Sequence, residues 1–133
     1  KRLGDIIFNA HEKKALLDAI VHPRVFERME LRIAQTAAAT PDAVVILDIP
    51  LLLETRITRQ LADVIVVYVP EAVQLQRLMQ RDGIDKQAAL ARIHSQMPIE
   101  EKRNQATVII DNSGSLKQTR QQTLAVYNRL QKG

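Results

Sequence analysis

Apolar positions in this chain follow two periods, and the alternation between them lays out the elements. Leu16, Leu17, Ile20 and Val21 share one helical face, and Phe26, Met29, Ile33 and Ala37 share another. Asn9, with Glu12 three residues later, predicts a helix start after the apolar patch Ile6-Ile7-Phe8. His22-Pro23 predicts a break, because the residue before proline resists helical angles and Pro23 suits the first position of a second helix. Thr40-Pro41-Asp42 predicts a turn.

Three uninterrupted β-branched runs follow. Val44 to Asp48 predicts a strand buried on both faces, closed by Pro50, which cannot continue a ladder. Asp63 to Val69 predicts a second strand and Thr107 to Ile110 a third. Thr55 to Leu61 predicts a short polar link of one or two helical turns. Between the later strands stand helix signals. Pro70-Glu71 opens a helix with Ala72, Leu75 and Met79 inward, and Gly83 supplies its left-handed end. Asp85 caps a helix striped with Leu90, Ile93 and Met97, and Pro98 opens a short charged one. Ser115 caps a last helix that turns Leu116, Thr123, Leu124, Tyr127 and Leu130 to the core.

This order predicts an α/β protein with a parallel sheet flanked by helices. A parallel sheet of three strands leaves open edges. The chain also begins at Lys1, inside a charged segment. We therefore expect a fold incomplete at its N-terminus, with exposed apolar sheet surface and a tendency to self-associate.

Composition narrows the function. No apolar run of about 18 residues is present, so no membrane partner is expected. No apolar stretch follows the N-terminal charges as in a signal peptide. Cysteine is absent among the 133 residues, which rules out thiol chemistry and fits a cytoplasmic protein. The net charge of +4 favours anionic partners. Aromatics are Phe8, Phe26, Tyr68 and Tyr127 alone, too few for a nucleic-acid stacking platform, and basic residues are spread along the chain. A small phosphorylated ligand suits this balance better than nucleic acid.

Candidate chemistry gathers where strands of a parallel sheet end. Asp48 stands at such an end, followed by the stiff Pro50-Leu51-Leu52 turn and Glu54. The alternative is a solvated strand end. Arg77 and Arg81 lie one helical turn apart, and Arg92, Lys102 and Arg103 follow on short helices. Such an array suits a lid over transferring phosphate, or a solvated basic face. Asn112-Ser113-Gly114 offers amides to a purine edge, or is a turn before the Ser115 cap. His11, His22 and His94 have no metal-ligand spacing, and no residue is assigned to a metal. The glycines stand singly at 4, 83, 114 and 133, so these residues hold no glycine-rich phosphate loop.

Leu3-Gly4 with Ile7-Phe8, His22-Pro23, Asp48-x-Pro50-Leu51-Leu52-x-Glu54, Gln74-x-x-Arg77-Leu78-x-x-Arg81-Asp82, Gln96, Lys102 and Asn112-x-Gly114 together resemble the dephospho-CoA kinase family. The resemblance covers essentially the whole chain. It implies a P-loop kinase fold, with ATP and Mg2+ used to phosphorylate the 3′-hydroxyl of dephospho-CoA in the last step of coenzyme A synthesis. It implies residues 1–41 as a helical acceptor-binding region and 42–133 as the C-terminal part of the kinase core, with a lid over about 76–104. It gives Asp48 and Arg81 catalytic roles. His22, Pro23 and Glu54 would bind the acceptor, and Arg77, Asn112 and Gly114 the nucleotide. Thr107 departs from the family pattern, in which Asp follows the alanine, and we expect changed local hydrogen bonding there. The family's phosphate-binding loop and its presumed aspartate base are not in these residues, so the isolated chain is expected to be inactive. The alternatives are another nucleoside or nucleotide kinase of this architecture, or a non-catalytic module that binds an anionic ligand or nucleic acid.

Overall fold

A computed structural model describes residues 11–55 and 61–132. The chain divides into two compact units, Lys1–Ile46 and Leu47–Gly133. The apolar patch Ile6-Ile7-Phe8, the Asn9 cap and most of the 55–61 link lie outside the described residues.

Among the described residues, the first unit holds one helix, α1, His11–Ala39. The expected break at His22-Pro23 does not occur: Pro23 lies inside the helix. A proline removes one backbone donor and crowds the preceding turn, which bends a helix more readily than it ends one when helix formers flank it. Here Leu, Ala, Glu and Arg supply both flanks. Of the first expected face only Leu17 is half-buried; Leu16, Ile20 and Val21 are exposed. Phe26, Met29 and Ile33 are half-buried as expected. The helix ends in the anticipated turn, with Ala43 N–H donating to the Thr40 carbonyl at 3.0 Å.

The strand expected at Val44–Asp48 is absent: residues 43–49 have no regular structure. Val45 is 42% exposed and Ile46 69%. β-branched residues favour strands only where a neighbouring strand accepts their backbone, and the described residues supply this run with no ladder partner. Leu52 N–H then donates to the Ile49 carbonyl at 3.2 Å, closing the Pro50 turn into a four-residue helix, α2, Leu52–Thr55.

The second unit holds a parallel pair of strands, β1 (Ile65–Tyr68) and β2 (Val108–Asp111), with Ile65 opposite Val108 and Tyr68 opposite Asp111. Three helices form the crossover: α3 (Glu71–Asp82), α4 (Lys86–His94) and α5 (Ile99–Gln105). Gly83 ends α3 at φ 63, where a side chain would be strained. Asp85 caps α4 by accepting from Ala88 N–H at 2.8 Å. The last helix, α6 (Leu116–Leu130), opens with the Ser115–Gln118 capping box. Leu53, Val64 and Val66 form a small core, against which Leu61, Met97, Ile99 and Ala106 pack.

Two expected faces are displaced. Ala72 on α3 is exposed. On α6, Leu116 is 84% exposed and Thr123, Leu124 and Tyr127 are also exposed; the inner side is Thr119, Gln122, Val126 and Leu130. Gln122 is turned in because it bonds both backbone groups of Asp111, accepting from its N–H at 2.9 Å and donating to its carbonyl at 2.8 Å. At the opposite end of the strands, the Thr107 hydroxyl donates to Asp63 at 2.9 Å and accepts from Val64 N–H at 2.8 Å. The departure at Thr107 therefore ties two strand ends together, and Arg129 near the end of α6 reaches the same Asp63 at 3.3 Å.

Candidate active site

The site begins where β1 gives way to α3. Gln74 donates to the Val69 carbonyl at 3.0 Å and fixes the first turn. One turn on, Arg77 reaches across to the Asn112 carbonyl at 3.0 Å. Arg81 follows on the same side of the helix, but its guanidinium turns to Asp82, with Nε 2.7 Å from Oδ1. Arg92, carried back by α4, meets the other oxygen of Asp82 at 2.6 Å. One carboxylate thus gathers two guanidinium groups. The Arg81 hydrogen bond holds the Asp82 carboxyl below its usual range; partial burial opposes this and Arg92 adds to it.

Helices α3, α4 and α5 enclose a groove of about 580 Å³, whose wall includes Gln74, Arg77, Arg81, Arg92, Gln96 and Lys102. Glu71 is the acidic residue in that wall, and His94 lies 3.3 Å from it. Cations outnumber carboxylates, so the groove attracts anions.

A second cavity of about 350 Å³ lies between residues 47–54 and β1, with Asp48, Pro50, Glu54 and Lys102 in its wall. Ile99 and Lys102 line both spaces. Glu54 Oε1 accepts from Lys102 Nζ at 2.7 Å and from Met97 N–H at 3.1 Å. Its Oε2 is buried without a partner. Burial pushes the Glu54 carboxyl up, but the Lys102 hydrogen bond and charge and the backbone donors together hold it below 4.5, its ordinary value.

The loop after β2 is ordered by its own bonds. Asn112 N–H donates to the Tyr68 carbonyl at 2.8 Å, and Asn112 Oδ1 accepts from the Thr119 hydroxyl at 2.9 Å. Asp111 accepts from the Ser113 N–H at 2.8 Å and from the Ser113 hydroxyl. Those Ser113 bonds, side chain first, keep the Asp111 carboxyl below its usual range.

A family model described as dephospho-CoA kinase matches residues 1–118. The chain belongs to the dephospho-CoA kinase family. The dephospho-CoA kinase of Syntrophotalea carbinolica is 47% identical over 131 residues, covering 98% of this chain and 62% of that protein. Among solved structures, a Thermus thermophilus protein superimposes with a TM-score of 0.79 at 33% identity, covering 97% of this chain and 65% of its own. The dephospho-CoA kinase of Campylobacter jejuni superimposes at 0.68 and 36% identity, covering 98% and 64%. The chain spans about three fifths of the length of the curated relatives it matches. The α/β architecture, a parallel sheet flanked by helices, is that of the P-loop kinases.

Within this dephospho-CoA kinase frame, the expected site residues fall into three groups. Arg77 and Asn112 are bonded directly, and Gly114 lies two residues further along the same loop. Arg77 and Arg81 line the groove, whereas Asp48 and Glu54 line the neighbouring cavity. Asp48 and Arg81, both expected where the strands end, therefore line two separate spaces with Lys102 in the wall of each, and Asn112 is joined to the groove through Arg77. His22 and Pro23 stand on α1 in the other unit, where His22 lies 3.7 Å from Asp18 and edge-on to Phe26. Sequence reasoning passed over Asp82, and placed Lys102 among the lid cations without its Glu54 partner. Both stand in the quoted motif, but their partners Arg92 and Glu54 are remote in sequence, and spacing alone does not join them.

Proposed function

We propose that the protein containing this chain transfers the γ-phosphoryl group of ATP to the 3′-hydroxyl of dephospho-CoA. The observation that carries the proposal is the cationic groove of α3–α5 beside a carboxylate-bearing cavity, in a member of the dephospho-CoA kinase family. A transferring phosphoryl group spreads negative charge over its oxygens, and positioned guanidinium groups stabilise that charge. Arg77, Arg81 and Arg92 supply it from two helices, and Asp82 holds Arg81 and Arg92 so that little reorganisation is needed on binding. The Asn112–Gly114 loop would receive the adenine. His22, Pro23 and Glu54 would serve the acceptor.

Among the described residues no three His, Asp or Glu side chains gather to hold a metal. Mg2+ that arrives with a nucleotide needs only one or two carboxylates, because phosphate oxygens and water complete its octahedron. Asp48, exposed and sharing a cavity wall with Glu54, fits that requirement. When bound, the ion would neutralise phosphate charge. Among the described residues no helix is long and apolar enough to cross a membrane. We place the activity in the cytoplasm.

The test is turnover by the full-length protein with ATP, Mg2+ and dephospho-CoA, following ADP release and the mass of the product. ATP- and dephospho-CoA-dependent formation of CoA supports the proposal; ADP release only with a different acceptor overturns it. The 133-residue chain alone, without a glycine-rich loop, is expected to give no turnover.

A further inference from the structure

Lys102 and Glu54 form the most enclosed ion pair among the described residues. Their side chains are 15% and 23% exposed, and every other such pair has at least one partner 48% exposed or more. Removing two charges from water is costly, and buried pairs are poor stabilising devices even when fully satisfied. This pair is not fully satisfied, since Glu54 Oε2 is buried without a donor. Stability alone does not explain an ammonium held at this junction.

Donor geometry suggests what does. A lysine ammonium carries three N–H donors. One serves Glu54 Oε1 at 2.7 Å, and Gln96 Oε1 lies 3.5 Å away to take a second. Among the described residues nothing takes the third, and the side chain lines both spaces. We propose that Lys102 is an anion-binding residue shared by the two spaces. Its third N–H meets a phosphate oxygen of a nucleoside polyphosphate lying across the junction. Glu54 is the positioning residue that fixes the ammonium there. This rests on the phosphoryl-transfer reading and adds a cation to the arginines of the groove.

The experiment uses the full-length protein, wild type against Lys102→Met, the exchanged pair Glu54→Lys with Lys102→Glu, and the apolar pair Glu54→Leu with Lys102→Met. Three quantities are read: kcat/KM for ATP with dephospho-CoA as acceptor, calorimetric binding of inorganic tripolyphosphate, and the melting temperature. Lys102→Met is expected to lower kcat/KM and tripolyphosphate affinity each by about tenfold or more, the scale of one charge-assisted hydrogen bond. The exchanged pair remakes the ion pair but puts a carboxylate at the junction, so it is expected to recover neither quantity. Should it fail to fold, the apolar pair takes its place: it removes both buried charges, keeps the fold and stays as impaired as Lys102→Met. Values for Lys102→Met within about twofold of wild type, or recovery in either double variant, overturn the inference. A wild type that makes no CoA defeats the functional reading instead, and tripolyphosphate binding to wild type and Lys102→Met still decides the role of Lys102.

Discussion

The guanidinium of Arg77 donates to the backbone carbonyl oxygen of Asn112 at 3.0 Å, which ties the helix after β1 to the loop after β2. The same asparagine donates its N–H to the Tyr68 carbonyl at 2.8 Å, so the ends of the two strands and the arginine move as one piece. An arginine proposed to meet phosphate and a loop proposed to meet adenine are thus joined by a direct hydrogen bond.

Arg77→Ala is expected to cost activity more than stability. Arg77 is exposed, so its loss lowers unfolding free energy by about 1 kcal/mol or less. Removing a positioned guanidinium is expected to lower kcat/KM for ATP by about tenfold to a hundredfold. Urea unfolding and steady-state kinetics on the same preparation check both. A large stability loss with unchanged kinetics contradicts the assignment.

Gly114→Ala tests the loop. A Cβ there would lie 2.5 Å from Gln118 Oε1, the atom that accepts from Ser115 N–H at 2.8 Å. Gln118 can swing away, at the expense of the cap. The expected loss is about 1 kcal/mol, that of a helix cap. In a cycle with Gln118→Ala the two losses overlap, so the double variant is hardly worse than either single one. Additive losses would show that the contact does not matter.

Gly83→Ala isolates backbone strain. Nothing lies within 4 Å of the added Cβ, yet φ is +63. The expected cost is about 1–2 kcal/mol from the left-handed conformation alone, with kcat/KM within about twofold of wild type. Chemical denaturation measures the first and the coupled assay the second.

Acid stability should report Glu54. Its folded pKa lies below 4.5, its ordinary value, so the unfolded chain binds a proton first. Its contribution is therefore present above 4.5 and is lost as pH falls through the folded pKa. Denaturant unfolding between about pH 6 and pH 3 should show stability falling more steeply for wild type than for Glu54→Gln. Identical slopes would mean that the Lys102 contact does not hold the carboxylate ionised.

Punctuation residues made the second unit legible. Pro70, Gly83, Asp85, Pro98 and Ser115 set element ends through local backbone chemistry, and each acts where the sequence places it. Features that depend on a distant partner were not legible. Val44–Asp48 has strand composition but no neighbouring strand among the described residues. The inner side of α6 follows Gln122, a polar residue drawn inward by Asp111, which an apolar stripe cannot reveal. Pro23 signals a break that its helix-forming flanks override. Arg77 and Arg81 were legible from their spacing on one helix. Asp82 and Lys102 gain their meaning from Arg92 and Glu54, which only folding brings near.

The central claim is that the groove of α3–α5, the Asn112–Gly114 loop and the Asp48 cavity serve one nucleotide. Its most direct test is a backbone amide and arginine side-chain NMR titration of the full-length protein with a non-hydrolysable ATP analogue and Mg2+. Saturable shifts at Asp48, Arg77, Arg81, Arg92, Lys102 and Gly114 with one common dissociation constant are predicted. Saturable binding that leaves the Arg77 and Arg81 guanidinium signals and the Gly114 amide unmoved would contradict the account.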